Sequence, residues 1–138
     1  MGAWSIENFG NDHACDWGHD LVEKDDVQFI ESTLQKVLVV GPNYLNSPVA
    51  EEALAAAEIV ARMLGNWGVR NAYTKDIDSW IESRQIKPSP ALINNSLLAI
   101  DRILDEKSEL RELWEEAGEY EEWIAMLIEL KARLKRKQ

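Results

Sequence analysis

Cysteine is almost missing from this chain: Cys15 is the only one in 138 residues. No intrachain disulfide can form, which excludes a secreted scaffold held together by such staples. Long apolar runs are lacking too. The longest apolar-leaning stretch, Ala53 to Leu64, is interrupted by Glu58 and Arg62 and is too short to span a bilayer. The opening residues show no basic region followed by an apolar one, so they do not read as a signal peptide. Ile6 stands where myristoylation wants Ser or Thr. The expected location is the cytoplasm. Cations are in deficit, 15 Lys and Arg against 25 Asp and Glu, for a formal net charge of −10. That balance argues against non-specific binding to nucleic acid or to anionic membranes, which need a cationic surface. Also absent are the phosphate loop G-x-x-x-x-G-K-[ST], the dinucleotide fingerprint G-x-G-x-x-G and the nucleophile elbow G-x-S-x-G. No cofactor is implied.

What is present is a globular composition, 46% hydrophobic and 29% charged, of a length suited to one domain. The apolar period is helical almost throughout. After a short arm carrying Trp4 and Phe9, Asn11 or Asp12 caps a first helix running towards Lys24, with Gly18 weakening its middle. Asp25 is the expected cap of a second helix, with Gln28 in a capping-box relation. Val27, Ile30, Leu34, Val37 and Leu38 form its buried stripe, and Gly41-Pro42 is its expected stop. Ser47-Pro48 reads as a cap followed by proline at the first helical position. Glu51 and Glu52 then lie near the positive end of that helix dipole. Its alanines allow close approach of neighbours, so the helix from Ser47 to Leu64 is the expected centre of the fold.

Residues 66–74 have no period and read as a connection. A short helix follows near Asp76 to Ser83. Ser89-Pro90 starts another, using Leu92, Leu97, Ile100 and Leu104. The remainder is charged and helical, broken at Gly118. Leu110, Leu113, Trp114 and Ala117 form one stripe; Tyr120, Trp123, Ile124, Leu127, Leu130 and Leu134 form the next. The sequence predicts an all-α domain of six or seven helices over residues 1–138. Lys131, Arg133, Lys135, Arg136 and Lys137 read as a basic tail suited to a helix C-terminus.

Two constellations could carry function. On the first helix, Asp12 and Asp16 share a face, as do Cys15 and His19, while His13 neighbours Asp16. A carboxylate-oriented imidazole suits general-base work, and Cys with His one turn on suits a nucleophile and its base. The same types, Asp12, His13, Cys15, Asp16 and His19, are metal ligands. No Cys or His follows His19, so a metal would need carboxylates from distant helices. The blander reading makes these residues a cap, a small buried thiol and solvent-facing imidazoles. Glu51, Glu52 and Glu58 do not form a di-metal bundle site, because no histidine completes a Glu-x-x-His pair.

The second constellation is electrostatic. Residues 105–122 carry nine acids against Lys107 and Arg111. Glu112, Glu115, Glu116 and Glu119 are the expected contacts for a basic protein partner, since complementary charge speeds association and sets specificity. The blander reading is a solvated face that confers solubility. Most of the six tryptophans sit on apolar stripes, but Trp67 lies in the aperiodic connection, either as an interface anchor or packed down over the core.

Gly2-Ala3-Trp4, then Phe9-Gly10-Asn11-Asp12-His13-Ala14-Cys15-Asp16-Trp17, resembles the opening of a family of bacterial domains of unknown function, number 4259. The likeness continues through Glu51-Glu52-Ala53-Leu54-Ala55-Ala56-Ala57-Glu58-Ile59-Val60-Ala61 and resumes at Ser108-Glu109-Leu110-Arg111-Glu112-Leu113-Trp114-Glu115-Glu116. Ser5 stands where that family would have a glycine. The resemblance implies a small, mostly helical bacterial protein and carries over no activity, cofactor or site residue.

Size, charge and the lack of catalytic motifs favour a non-enzymatic acidic binding module, in the manner of an immunity protein or antitoxin masking a basic partner. The alternatives are a metal-binding protein or hydrolase-like enzyme using the N-terminal His/Asp/Cys helix, and a homo-oligomeric structural domain.

Overall fold

The computed structural model describes residue 3 and residues 5–136; Trp4 and Lys137 lie outside them. Among the described residues, regular structure consists of α1 (Asp12–Lys24), α2 (Val27–Leu38), α3 (Ser47–Met63), α4 (Lys75–Arg84), α5 (Pro90–Ile103), α6 (Glu109–Ala117) and α7 (Tyr120–Lys135). Strand-like pairing there is limited to two isolated bridges, Ala3 with Asn11 and Leu45 with Ser108. The fold is all-α, as the helical period requires.

The alanine-rich α3 is the hub. Ala50, Ala53, Ala55, Ala56, Ala57 and Ala61 are all buried, and side chains this small let α3 touch each of the other six helices. Leu21, Ile30, Leu34, Ile59, Ile100, Trp123 and Leu127 fill the core around it. Trp17 stacks on Phe29 at 5.4 Å, while its indole N–H donates to Thr33 Oγ1 at 2.7 Å. A buried ring thereby keeps its polar edge satisfied.

Several boundaries differ from the sequence expectation. Asp26, not Asp25, caps α2, its carboxylate accepting from the Gln28 amide at 2.9 Å. Asp25 instead closes α1 in the left-handed region at φ 52. The chain must reverse there before α2 can begin, so only the following acid is free to cap. Ser47 is the first residue of α3 rather than its cap, and Asn46 caps without a side-chain bond. The Ser47 amide donates to Glu109 Oε1 at 2.7 Å, so a carboxylate from α6 does the capping. α2 ends at Leu38, ahead of Gly41-Pro42, because Val39 to Asn43 continue as turns. On α5, Leu97 and Leu104 are only half-buried, with Ser96, Ala99 and Ile103 turned inward instead; Ala117 on α6 is exposed. Ser89 caps α5 and Gly118 ends α6 at φ 75, both where the sequence puts them.

Candidate functional site

The N-terminal constellation does not gather. Asp12, His13, Asp16 and His19 are exposed and Cys15 is half-buried. Asn11 takes the capping role, accepting from the Ala14 amide at 2.8 Å. The Cys15 thiol donates to the Phe9 carbonyl at 3.4 Å. Burial pushes its pKa up, and Asp12 and Asp16 add to this, the opposite of what activates a thiolate nucleophile. His13 pairs with Glu51 on α3, not with Asp16; Nδ1 lies 3.2 Å from Oε1. Among the described residues, no three His, Cys, Asp or Glu side chains group as metal ligands.

Sequence reasoning missed the most buried polar assembly. Glu58 lies at its centre, 3% exposed in the middle of α3. Arg133 of α7 binds it bidentately, Nη2 to Oε1 at 2.7 Å and Nη1 to Oε2 at 2.8 Å. Arg62, one turn along α3, donates Nε to Oε2 at 2.8 Å and Nη1 to Asp78 Oδ1 at 2.7 Å. Asn8 from the N-terminal arm adds Nδ2 to Glu58 Oε1 at 2.9 Å. Burial alone would raise the Glu58 pKa, but Arg133 and Arg62 outweigh it and hold the carboxyl below its ordinary range. Arg133 is therefore no part of a solvated basic tail. The one available signal was the pair Glu58 and Arg62, four residues apart in the otherwise apolar stretch from Ala53 to Leu64; Arg133, 75 residues away, left none.

The same assembly straps down the 66–74 connection. Arg62 Nη2 donates to the Val69 carbonyl at 2.6 Å, and Arg133 Nη1 donates to that of Asn66 at 3.2 Å. Gly68 comes so close that an added Cβ would sit 2.7 Å from Glu58 Oε2. Trp67 packs partly buried against the core, with the Arg70 guanidinium 4.2 Å from its ring centre. The geometry matches the reading of a loop packed down over the core. The cavity above the assembly, about 70 Å³, is small, and the buried charges are already matched by partners. This is a latch joining the arm, α3, α4, α7 and a loop; of its buried side-chain polar atoms among the described residues, Asn8 Oδ1 alone lacks a hydrogen-bond partner.

The outer face of α6 is different. Glu112, Glu115, Glu116 and Glu119 are all exposed. Arg111 is already engaged, with Nε on Glu115 at 3.1 Å and Nη1 on the Leu104 carbonyl at 2.9 Å. Gly118 turns the chain between Glu115 and Glu119, so that pair does not share one helix. A residue with no sequence signal joins this face. Tyr44, from the α2–α3 connection, is 47% exposed and lies among the α6 carboxylates. Desolvation raises its pKa, as do the neighbouring carboxylate of Glu112 and the nearby charges of Glu109 and Glu116.

Backbone stitching puts Tyr44 there. The Leu45 amide donates to the Lys107 carbonyl and the Glu109 amide to that of Leu45, both at 2.9 Å. Arg102 and Lys107 bond the carbonyls of Gly41, Pro42 and Asn43. Glu51, on the nearby first turns of α3, is buried, and its pKa is raised by that burial against the pull of His13.

These features define a compact all-α domain with an internally matched charge latch and a carboxylate-rich outer face. The chain belongs to the family described as domain of unknown function (DUF4259), whose model matches residues 2–125. The match ends within α7, ahead of Arg133. No curated protein and no solved structure matches the chain. No helix among the described residues is long and apolar enough to cross a membrane.

Proposed function

We propose that this protein is a non-catalytic binding module that receives a basic protein partner on the α6 face. The observation that carries the reading is Tyr44 standing half-exposed among the α6 carboxylates, of which Glu115 alone has a cation partner, Arg111, among the described residues. A tyrosine can anchor an interface at little entropic cost, while surrounding carboxylates select cations and steer their approach. Glu112, Glu115, Glu116 and Glu119 are the expected charge contacts. Masking of a cationic protein such as a nuclease, in the manner of an immunity protein or antitoxin, fits the size and acidity of the chain. A bacterial cytoplasm is the setting that goes with this reading.

Affinity capture from host lysate tests it, using wild type beside a variant with these four glutamates changed to Lys and a second carrying Tyr44→Ala. The expected result is one stoichiometric basic protein held by wild type and lost from the four-Lys variant, with Tyr44→Ala weakened about tenfold or more. Equal capture by wild type and the four-Lys variant overturns the assignment of this face.

A further inference from the structure

Three open grooves of about 470, 550 and 550 Å³ cross the surface. The first, between α2 and α5, carries charges of both signs, with Gln28, Glu31, Gln35 and Lys36 among its walls. The second, between α1 and α4, mixes signs through His19, Glu23, Asp76 and Arg84. The third, where the end of α3 meets α5 and α7, differs from both. Half-buried Ile93 and Leu97 give it an aliphatic surface, with the edges of the buried Leu64 and Leu134 beneath them. Its charged lining is Lys87, Lys135 and Arg136, with no carboxylate, in a chain where acids outnumber cations 25 to 15. None of these three cations is ion-paired among the described residues, whereas Arg62, Arg70, Arg84, Arg111, Lys131 and Arg133 all are. Leu134, Lys135 and Arg136 also lie beyond the family match.

We propose that this groove is a binding site for a single-tailed amphiphile with one anionic headgroup, such as a long-chain carboxylate. Its volume falls in the range of small-ligand sites, roughly 300–1,000 Å³, which combine apolar walls with a few placed polar groups. The tail lies over Ile93 and Leu97, and the headgroup meets Lys135, Arg136 and Lys87. Charge limits the occupant to a single anionic head. A net charge of −10 repels an anionic bilayer or a multiply acidic chain, while a lone carboxylate is governed by cations within about one Debye length, roughly 8–10 Å.

Titration of the full chain with dodecanoate below its micellar range, followed by amide NMR and calorimetry, tests the site. Shifts should centre on Ile93, Asn94, Leu97 and Leu134. Affinity should rise by up to about fourfold per methylene from octanoate to dodecanoate. Lys135→Glu with Arg136→Glu, both at exposed positions, should weaken dodecanoate about tenfold while leaving dodecyl maltoside unaffected. Dodecyltrimethylammonium should bind more weakly than dodecanoate. Absence of shifts at the groove, equal binding of the cationic amphiphile, or an unchanged double variant overturns the proposal. So does a glutamate-flanked leucine peptide that shifts these residues where dodecanoate does not, which would assign the groove to a protein segment.

Discussion

Glu51 and Glu58 are two buried carboxylates of one helix whose folded environments act in opposite directions. Arg133 and Arg62 hold the Glu58 pKa below its ordinary value of 4.5, despite a burial that would raise it. Its stabilisation is present above that value and is lost as pH falls through the lower folded one. The Glu51 pKa is raised by burial, with only His13 opposing. Folding favours its protonated form, so its contribution weakens as pH rises from 4.5 through the raised value. Urea titrations at pH 4 and pH 7 should therefore give opposite slopes: Glu58→Gln costs more at pH 7, whereas Glu51→Gln costs less there. Parallel slopes would contradict the assignment. Arg133→Ala leaves Glu58 without its bidentate partner and should cost roughly 3–5 kcal/mol in the same assay. A loss under about 1 kcal/mol, the range of surface pairs, would mean the latch is solvated.

At the scale of elements, helix propensity and packing conflict at Gly18. Propensity alone says that alanine there stabilises α1 by about 1 kcal/mol. In the fold, an added Cβ would sit 2.4 Å from Ile77 Cδ1 and 3.2 Å from its Cγ1, on the buried side of α4. Gly18 is the notch that seats α4, and overpacking of such a contact costs roughly 1–3 kcal/mol. Gly18→Ala should gain nothing or destabilise. Adding Ile77→Val should restore stability in that background, while the same change in wild type costs roughly 0.5–1.5 kcal/mol. Additive effects in this double-mutant cycle would break the proposed contact. Sequence pattern located the helices but not this notch, because periodicity shows which residues face inward and not what they meet.

Across the whole molecule, charge is distributed by location more than by sum. Matched charges are sealed in the latch, exposed acids cover α6, and cations without an ion pair among the described residues line one groove. If the α6 face steers a basic partner, raising salt from 50 to 500 mM should slow association about tenfold or more and alter dissociation much less. Stopped-flow mixing with the captured partner measures this. A salt-independent rate would assign the contact to apolar burial instead.

The sequence by itself determined the helices, the break at Gly118, the central place of α3 and the exposure of the α6 acids. Each of these rests on local periodicity, backbone conformational preference or side-chain size, and all act within a few residues. Only tertiary structure decided that His13 meets Glu51, that Arg133 meets Glu58, and that Tyr44 joins the α6 face. Those pairings cross 38, 75 and 68 residues of chain (Glu51 from His13, Arg133 from Glu58, Glu112 from Tyr44). Long-range polar partners are set by how helices cross and how connections are stitched, and no periodicity within one segment encodes that.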